Sequence, residues 1–234
     1  MTTTLCLNNN LRPTMDVETF YCIIIGLVFA PVFLVLIRLL YILPALRLPP
    51  STTTPKKLLD AAHISILLGS GGHTGEMMRI VSKMEMPNAT RTWIYSDGDN
   101  SSLSKAKEFE EKRTTATTNH ISIPRARQVG QNYILSIPTT LYSFVISAIK
   151  LLNHKPDVLL LNGPGTCVPV AYILFFYKFL GLCKTKIIYI ESLARVSKLS
   201  LSGLLLLPIS DRFIVQWENL YHQYNRVEYY GVLI

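Results

Sequence analysis

His63-Ile64-Ser65-Ile66-Leu67-Leu68 runs directly into Gly69-Ser70-Gly71-Gly72-His73-Thr74-Gly75-Glu76, and that into Met77-Met78-Arg79-Ile80-Val81. The first run reads as a buried strand and the last as a helix, with the glycines as the loop between them. Strand, glycine loop and helix start together make an anion site. Glycines let the backbone approach a phosphate, and unpaired N–H groups at the helix N-terminus point at it along the helix dipole. His73 stands at that mouth as a proton donor or acceptor. The loop lacks the Lys of a P-loop, and Thr74 breaks a G-x-G-x-x-G pattern, so by itself it also fits a plain strand-to-helix turn.

Downstream, apolar runs recur at 92–96, 120–123, 158–161, 187–190 and 213–215, with a charged helix expected at 102–113. Short β-branched runs separated by helical stretches argue a parallel, doubly wound Rossmann-like sheet. Two stretches, 132–152 (interrupted by Pro138) and 168–182, are unusually apolar for crossover helices. They are too short or too polar for convincing membrane spans, and read either as core helices or as membrane-facing ones.

Upstream, residues 19–37 carry no charge, and at about 1.5 Å per residue they reach roughly 28 Å, close to a hydrocarbon core of about 30 Å. Pro31 inside the run is expected to kink the helix. A cleaved signal peptide is the competing reading; Asp16, Glu18 and the length of the run favour a retained anchor. Arg38, Arg47, Lys56 and Lys57 follow the span, whereas Arg12 alone precedes it, so the body is expected on the cytosolic side. The sequons at Asn88 and Asn100 would then stay unused. The domains expected are a short lumenal N-terminus at 1–18, the anchor at 19–37, a basic juxtamembrane segment and Pro/Thr-rich linker at 38–60, and a cytosolic domain at 61–234.

The chain carries 23 Lys and Arg against 15 Asp and Glu, and only Arg12, Asp16 and Glu18 precede the anchor, leaving +9 on the rest. A basic body beside a bilayer suits anionic headgroups and phosphate-bearing ligands. The charges are dispersed and match no nucleic-acid motif, so nucleic acid is not expected. Cys6, Cys22, Cys167 and Cys183 are scattered and suggest neither a disulfide framework nor a zinc site. No metal cluster is visible, and neither a metal nor another cofactor is expected.

Ligands of open α/β sheets bind at the carboxyl ends of the strands. Three loops are expected there: Gly69 to Glu76; Asn162-Gly163-Pro164-Gly165-Thr166; and the segment beginning Glu191-Ser192-Leu193-Ala194-Arg195. Asn162 and Thr166 can bind a polar ligand, Glu191 is a candidate acid/base or sugar-hydroxyl ligand, and Arg195 a phosphate ligand. Each has a bland alternative, as a turn or a solvated salt bridge; their convergence favours a site.

The blocks Gly-Ser-Gly-Gly-His-Thr-Gly-Glu, Asn-Gly-Pro-Gly-Thr-Cys-Val-Pro, Tyr-Ile-Glu-Ser-Leu-Ala-Arg-Val and Asp-Arg-Phe-Ile-Val-Gln-Trp, in this order, resemble one family. It is the membrane-anchored subunit of the eukaryotic N-acetylglucosaminyltransferase that adds the second sugar to the dolichol-linked precursor of asparagine-linked glycans. The resemblance implies one half of a GT-B fold, similar to the acceptor-side half of MurG-like enzymes. It implies a soluble partner subunit that binds UDP-N-acetylglucosamine, an endoplasmic reticulum location, and a dolichol-diphosphate-linked acceptor held by this chain. On this reading Gly69, Ser70, Gly71, Gly72, His73, Thr74 and Arg195 hold the acceptor diphosphate, and either His73 or Glu191 is the base. An inert membrane scaffold is the alternative; an autonomous transferase or hydrolase is disfavoured because no Gly-x-Ser-x-Gly elbow appears. Val232, Leu233 and Ile234 are expected either to dock the partner or to pack back on their own sheet.

Overall fold

The structure is a computed structural model that describes residues 16–47, 62–86, 88–113, 117–124, 133–163 and 165–234. Cys6, Arg12, the linker at 49–55, Lys56, Lys57, Asn132 and Pro164 lie outside the described residues. Two units divide the chain, at Tyr41 and Ile42. The first is dominated by helix α1 (Val17–Ile42), continuous through Pro31 and apolar around its whole circumference. Its 26 residues reach about 39 Å, more than the roughly 30 Å of a hydrocarbon core. It is long and apolar enough to cross a membrane.

The second unit is one seven-stranded sheet. Its strands are β1 (His63–Leu67), β2 (Thr90–Ser96), β3 (Thr118–Ile123), β4 (Val158–Asn162), β5 (Lys186–Ile190), β6 (Arg212–Val215) and β7 (Val227–Tyr229). The order is β3-β2-β1-β4-β5-β6-β7 and every pairing is parallel. Between the strands run α2 (Gly72–Ser82), α3 (Asn100–Glu111), α4 (Tyr133–Leu152), α5 (Cys167–Phe179), α6 (Leu201–Leu206) and α7 (Glu218–Gln223). Right-handed crossovers put α2 and α3 on one face and α4, α5 and α6 on the other, because the chain reverses direction across the sheet after β3. The doubly wound Rossmann-like expectation is met.

The strands formed where they did because both of their faces are covered. Ile64, Ile66, Leu68, Trp93 and Leu160 meet Met77, Ile80 and Val81 of α2 in one buried layer. Leu67, Ile94, Leu159, Leu161, Ile187, Tyr189 and Phe213 are also buried, as are Val170, Ala171, Ile173 and Leu174 of α5. The two apolar stretches part company here. Helix α5 is mostly core, whereas α4 is continuous through Pro138 and exposes Leu141, Tyr142, Val145 and Ile149.

Two readings need correction. Helix α2 begins at Gly72, so Gly72, His73, Thr74 and Gly75 form its first turn rather than a loop. Glycine's poor helix propensity hides that start; Gly71, at φ 64°, makes the sharp entry. Beyond β6, the chain adds a seventh strand that pairs with β6, from Phe213 opposite Val227 to Val215 opposite Tyr229.

Candidate functional site

Consecutive strands lead away from each other at β1 and β4, which are neighbours in the sheet but connect to β2 and β5 respectively. That switch point opens a crevice at the carboxyl ends. The β1 and β4 loops border it, and the β5 loop lies next in order, so the sheet brings the three sequence-identified loops to adjacent strand ends.

At the β1 end Gly69 is buried, Ser70, Gly71 and Gly72 are exposed and His73 is half-buried. A side chain added at Gly71, Gly72 or Gly75 would meet nothing within 4 Å, so the backbone of the first turn of α2 faces open space. The leading N–H groups of a helix have no intrahelical acceptor and remain for a ligand there; the Gly75 N–H already bonds the Gly71 carbonyl, at 3.4 Å. Thr74 is placed otherwise than expected. Its side chain is buried and its hydroxyl lies 2.7 Å from that of Ser102. Ser102 also donates to the Gly69 carbonyl at 3.2 Å and to Asp99, the N-cap of α3, at 2.7 Å. Thr74 Oγ1 thus ties the glycine turn to α3.

At the β4 end Asn162 is buried, donating to the Ile190 carbonyl at 3.4 Å, while its Oδ1 has no partner. Thr166 Oγ1 and His73 Nδ1 are likewise buried atoms without a hydrogen bond. Gly163 has φ 69°, and a Cβ there would overlap the His73 imidazole. The glycine therefore provides both the left-handed turn and the wall on which the ring lies. Cys167, buried at the start of α5, donates its thiol to the Asn162 carbonyl at 3.6 Å; burial pushes its pKa far above the usual thiol range, which leaves it unreactive.

At the β5 end Glu191 proves to be a core residue, with no exposure. One carboxylate oxygen accepts from the Ser192 N–H at 3.1 Å and the Tyr189 hydroxyl at 3.4 Å. The other accepts from the N–H and hydroxyl of Ser200, at 3.0 and 3.1 Å. Burial, and then the Glu191 charge, push the Tyr189 phenol above its ordinary range, so it remains a donor. A carboxylate closed off in this way holds the β5 loop to the N-cap of α6 and offers no face to a ligand. Arg195 lies on the exposed part of the same loop, which Trp217 and Asn219 brace through the Leu193 and Val196 carbonyls at 2.7 and 2.6 Å.

The carboxylate beside the crevice is instead Glu76. It accepts from Ser192 Oγ at 3.0 Å, the Leu193 N–H at 2.7 Å and Gln216 Nε2 at 2.6 Å. Gln216 also donates to the Glu191 carbonyl at 3.1 Å and accepts from the Leu233 N–H at 3.2 Å. The only signals were the place of Glu76 in the glycine block and that of Gln216 in the Asp-Arg-Phe-Ile-Val-Gln-Trp block; nothing joined the two, which are 140 residues apart. Of the C-terminal residues, Leu233 and Ile234 pack against the chain's own core, while Val232 is exposed.

Among solved structures the chain is similar to Acinetobacter baumannii MurG, at 12% identity and a TM-score of 0.48, over 73% of this chain and 45% of that one. It is 68% identical over 220 residues to the Candida albicans protein called UDP-N-acetylglucosamine transferase subunit ALG14, covering 94% of this chain and all of the relative. The human protein of the same name is 36% identical over 188 residues, covering 77% of this chain and 86% of the relative. The family model described as "Oligosaccharide biosynthesis protein Alg14 like" matches residues 64–233, from the first residues of β1 to the core-packed Leu233. With the glycine turn, the Asn162 loop and the Glu191 loop all inside that match, the chain belongs to the Alg14-like family of oligosaccharide biosynthesis proteins.

Proposed function

We propose that this chain is the membrane-anchoring, acceptor-binding subunit of a heteromeric UDP-N-acetylglucosamine transferase, forming one half of a GT-B enzyme at the endoplasmic reticulum. It recruits a soluble donor-binding subunit and presents N-acetylglucosaminyl-diphosphodolichol on the cytosolic side. The observation that carries this reading is the open backbone of Gly71, Gly72 and Gly75 at the β1–β4 switch point, a cradle that a diphosphate fits and any side chain would fill. The names of the relatives support the subunit role. In the reaction, the acceptor's 4-hydroxyl oxygen bonds to the anomeric carbon of the donor sugar as the bond to UDP breaks, and the hydroxyl proton passes to a base. His73, half-buried in the first turn of α2, takes that role; the burial of Glu191 leaves it a structural one.

The test uses the chain purified with its donor-binding partner and a diphosphate-linked lipid acceptor. Gly72→Val adds a side chain into open space, so folding and membrane insertion should be normal while transfer falls at least tenfold. His73→Ala should lower kcat by about 100-fold or more, in line with the loss of a general base. If both variants behave like the surface change Lys105→Ala in complexes of normal abundance, the inert-scaffold reading holds instead.

Partner docking is proposed at the C-terminal residues, and the placement of Val232, Leu233 and Ile234 selects the variant. Val232 is exposed beside the exposed Tyr229 and Tyr230, so Val232→Asp should abolish co-purification of the partner without unfolding the chain. Undiminished capture of the partner would put the contact elsewhere, on the crevice loops.

A further inference from the structure

We infer that Glu76 is the positioning residue for His73, holding the imidazole in one tautomer and one orientation. The inference rests on the reading of His73 as the base. Residues three apart on a helix share a face, and Glu76 follows His73 by three. Glu76 Oε2 lies 4.0 Å from His73 Nδ1, and the Glu76 side chain is 9% exposed against 36% for the histidine. Every group that hydrogen-bonds Glu76 is neutral: Ser192 and Leu193 from the β5 loop, and Gln216 from the end of β6. Those donors hold the carboxylate in place without neutralising it. Among the described residues, His73 is its one ion-pair partner.

The histidine supplies the complementary half. Its Nδ1 is buried and unpartnered, and the ring lies against Gly163, which limits how far it can turn. The other ionisable groups around the pair point elsewhere. Glu191 faces Ser200, Asp99 faces Ser102, and Arg195 lies on the exposed stretch of the β5 loop. A small movement of the ring closes Nδ1–H on Oε2 and leaves Nε2 for the ligand. When Nε2 then takes the proton of the acceptor hydroxyl, the O–H electron pair forms the new glycosidic bond. The C–O pair departs with UDP, and the imidazolium sits beside a carboxylate already desolvated and fixed.

The decisive measurement is the tautomer of the His73 ring, read from its ring-nitrogen NMR shifts in the full chain held in detergent with its donor-binding partner, and assigned by the signals lost in His73→Ala. Glu76→Gln keeps the size of the side chain and removes the charge. It should turn a single tautomer, with the proton on Nδ1, into a mixture and lower kcat about tenfold, with little change in acceptor KM. Glu76→Asp should recover part of both effects. Should Glu76→Gln fail to accumulate, Ser192→Ala removes one of the donors that fix Oε2 and should mix the tautomers in the same direction. An unchanged tautomer in the folded variant overturns the inference, leaving Glu76 as a clamp between loops. The base reading fails separately, on full activity of His73→Ala.

Discussion

Replacing Glu110 with alanine should cost the domain about 3–5 kcal/mol, the usual penalty for leaving a buried charge without its partner. Arg91 on β2 is 1% exposed and meets Glu110 of α3 through two parallel bonds, Nε to one oxygen at 2.8 Å and Nη2 to the other at 2.6 Å. Trp93, also fully buried, donates its indole N–H to the same carboxylate at 2.7 Å. The alanine therefore strands a guanidinium and an indole N–H together; the Met86 carbonyl, 2.9 Å from Nη1, cannot supply the missing charge. Urea denaturation followed by tryptophan fluorescence reads the loss directly. Lys112→Ala, which breaks only the exposed pair with Glu108, should leave the midpoint unmoved.

The second large effect is expected at Glu191 and Gly203. Glu191→Ala leaves the Ser192 and Ser200 N–H groups without their acceptor in the core, at about 1–3 kcal/mol for each orphaned group. Gly203→Ala attacks the same contact from the other side. The added methyl would overlap the Glu191 carboxylate and lie 3.2 Å from Ser200 Oγ and 3.3 Å from the Phe213 ring. Overpacking of this kind costs about 1–3 kcal/mol. Both variants should lower the denaturation midpoint and the yield of complex, with transfer per folded molecule largely retained. Lost transfer at an unchanged midpoint would restore a catalytic role to Glu191.

This contrast shows what could be read from residues alone. The strands were legible because a parallel sheet covered on both faces needs continuous apolar runs, and Val158 to Leu161 is one. The position of the glycine turn was legible for the same reason, since it follows such a run. Strand β7 was not: its three residues include Glu228, which is held by Arg212 from the neighbouring strand. Glu191 misled because a carboxylate at a strand end ordinarily faces water, and its donor Ser200 lies nine residues farther on. The contact between Glu76 and Gln216 was beyond reach because only the sheet order brings α2 beside the end of β6.

The bond between Glu76 and Gln216 also sets a clock for the chain as it is made. The glutamine follows the glutamate by 140 residues, and at about 5–20 residues per second that interval is roughly 7–28 s of synthesis. Until Ser192 is added, 116 residues after Glu76, the glycine turn and His73 are already polymerised, but Glu76 lacks all three of Ser192, Leu193 and Gln216. A nascent chain that ends with β5 therefore carries every glycine of the cradle and still has no carboxylate anchored beside the histidine.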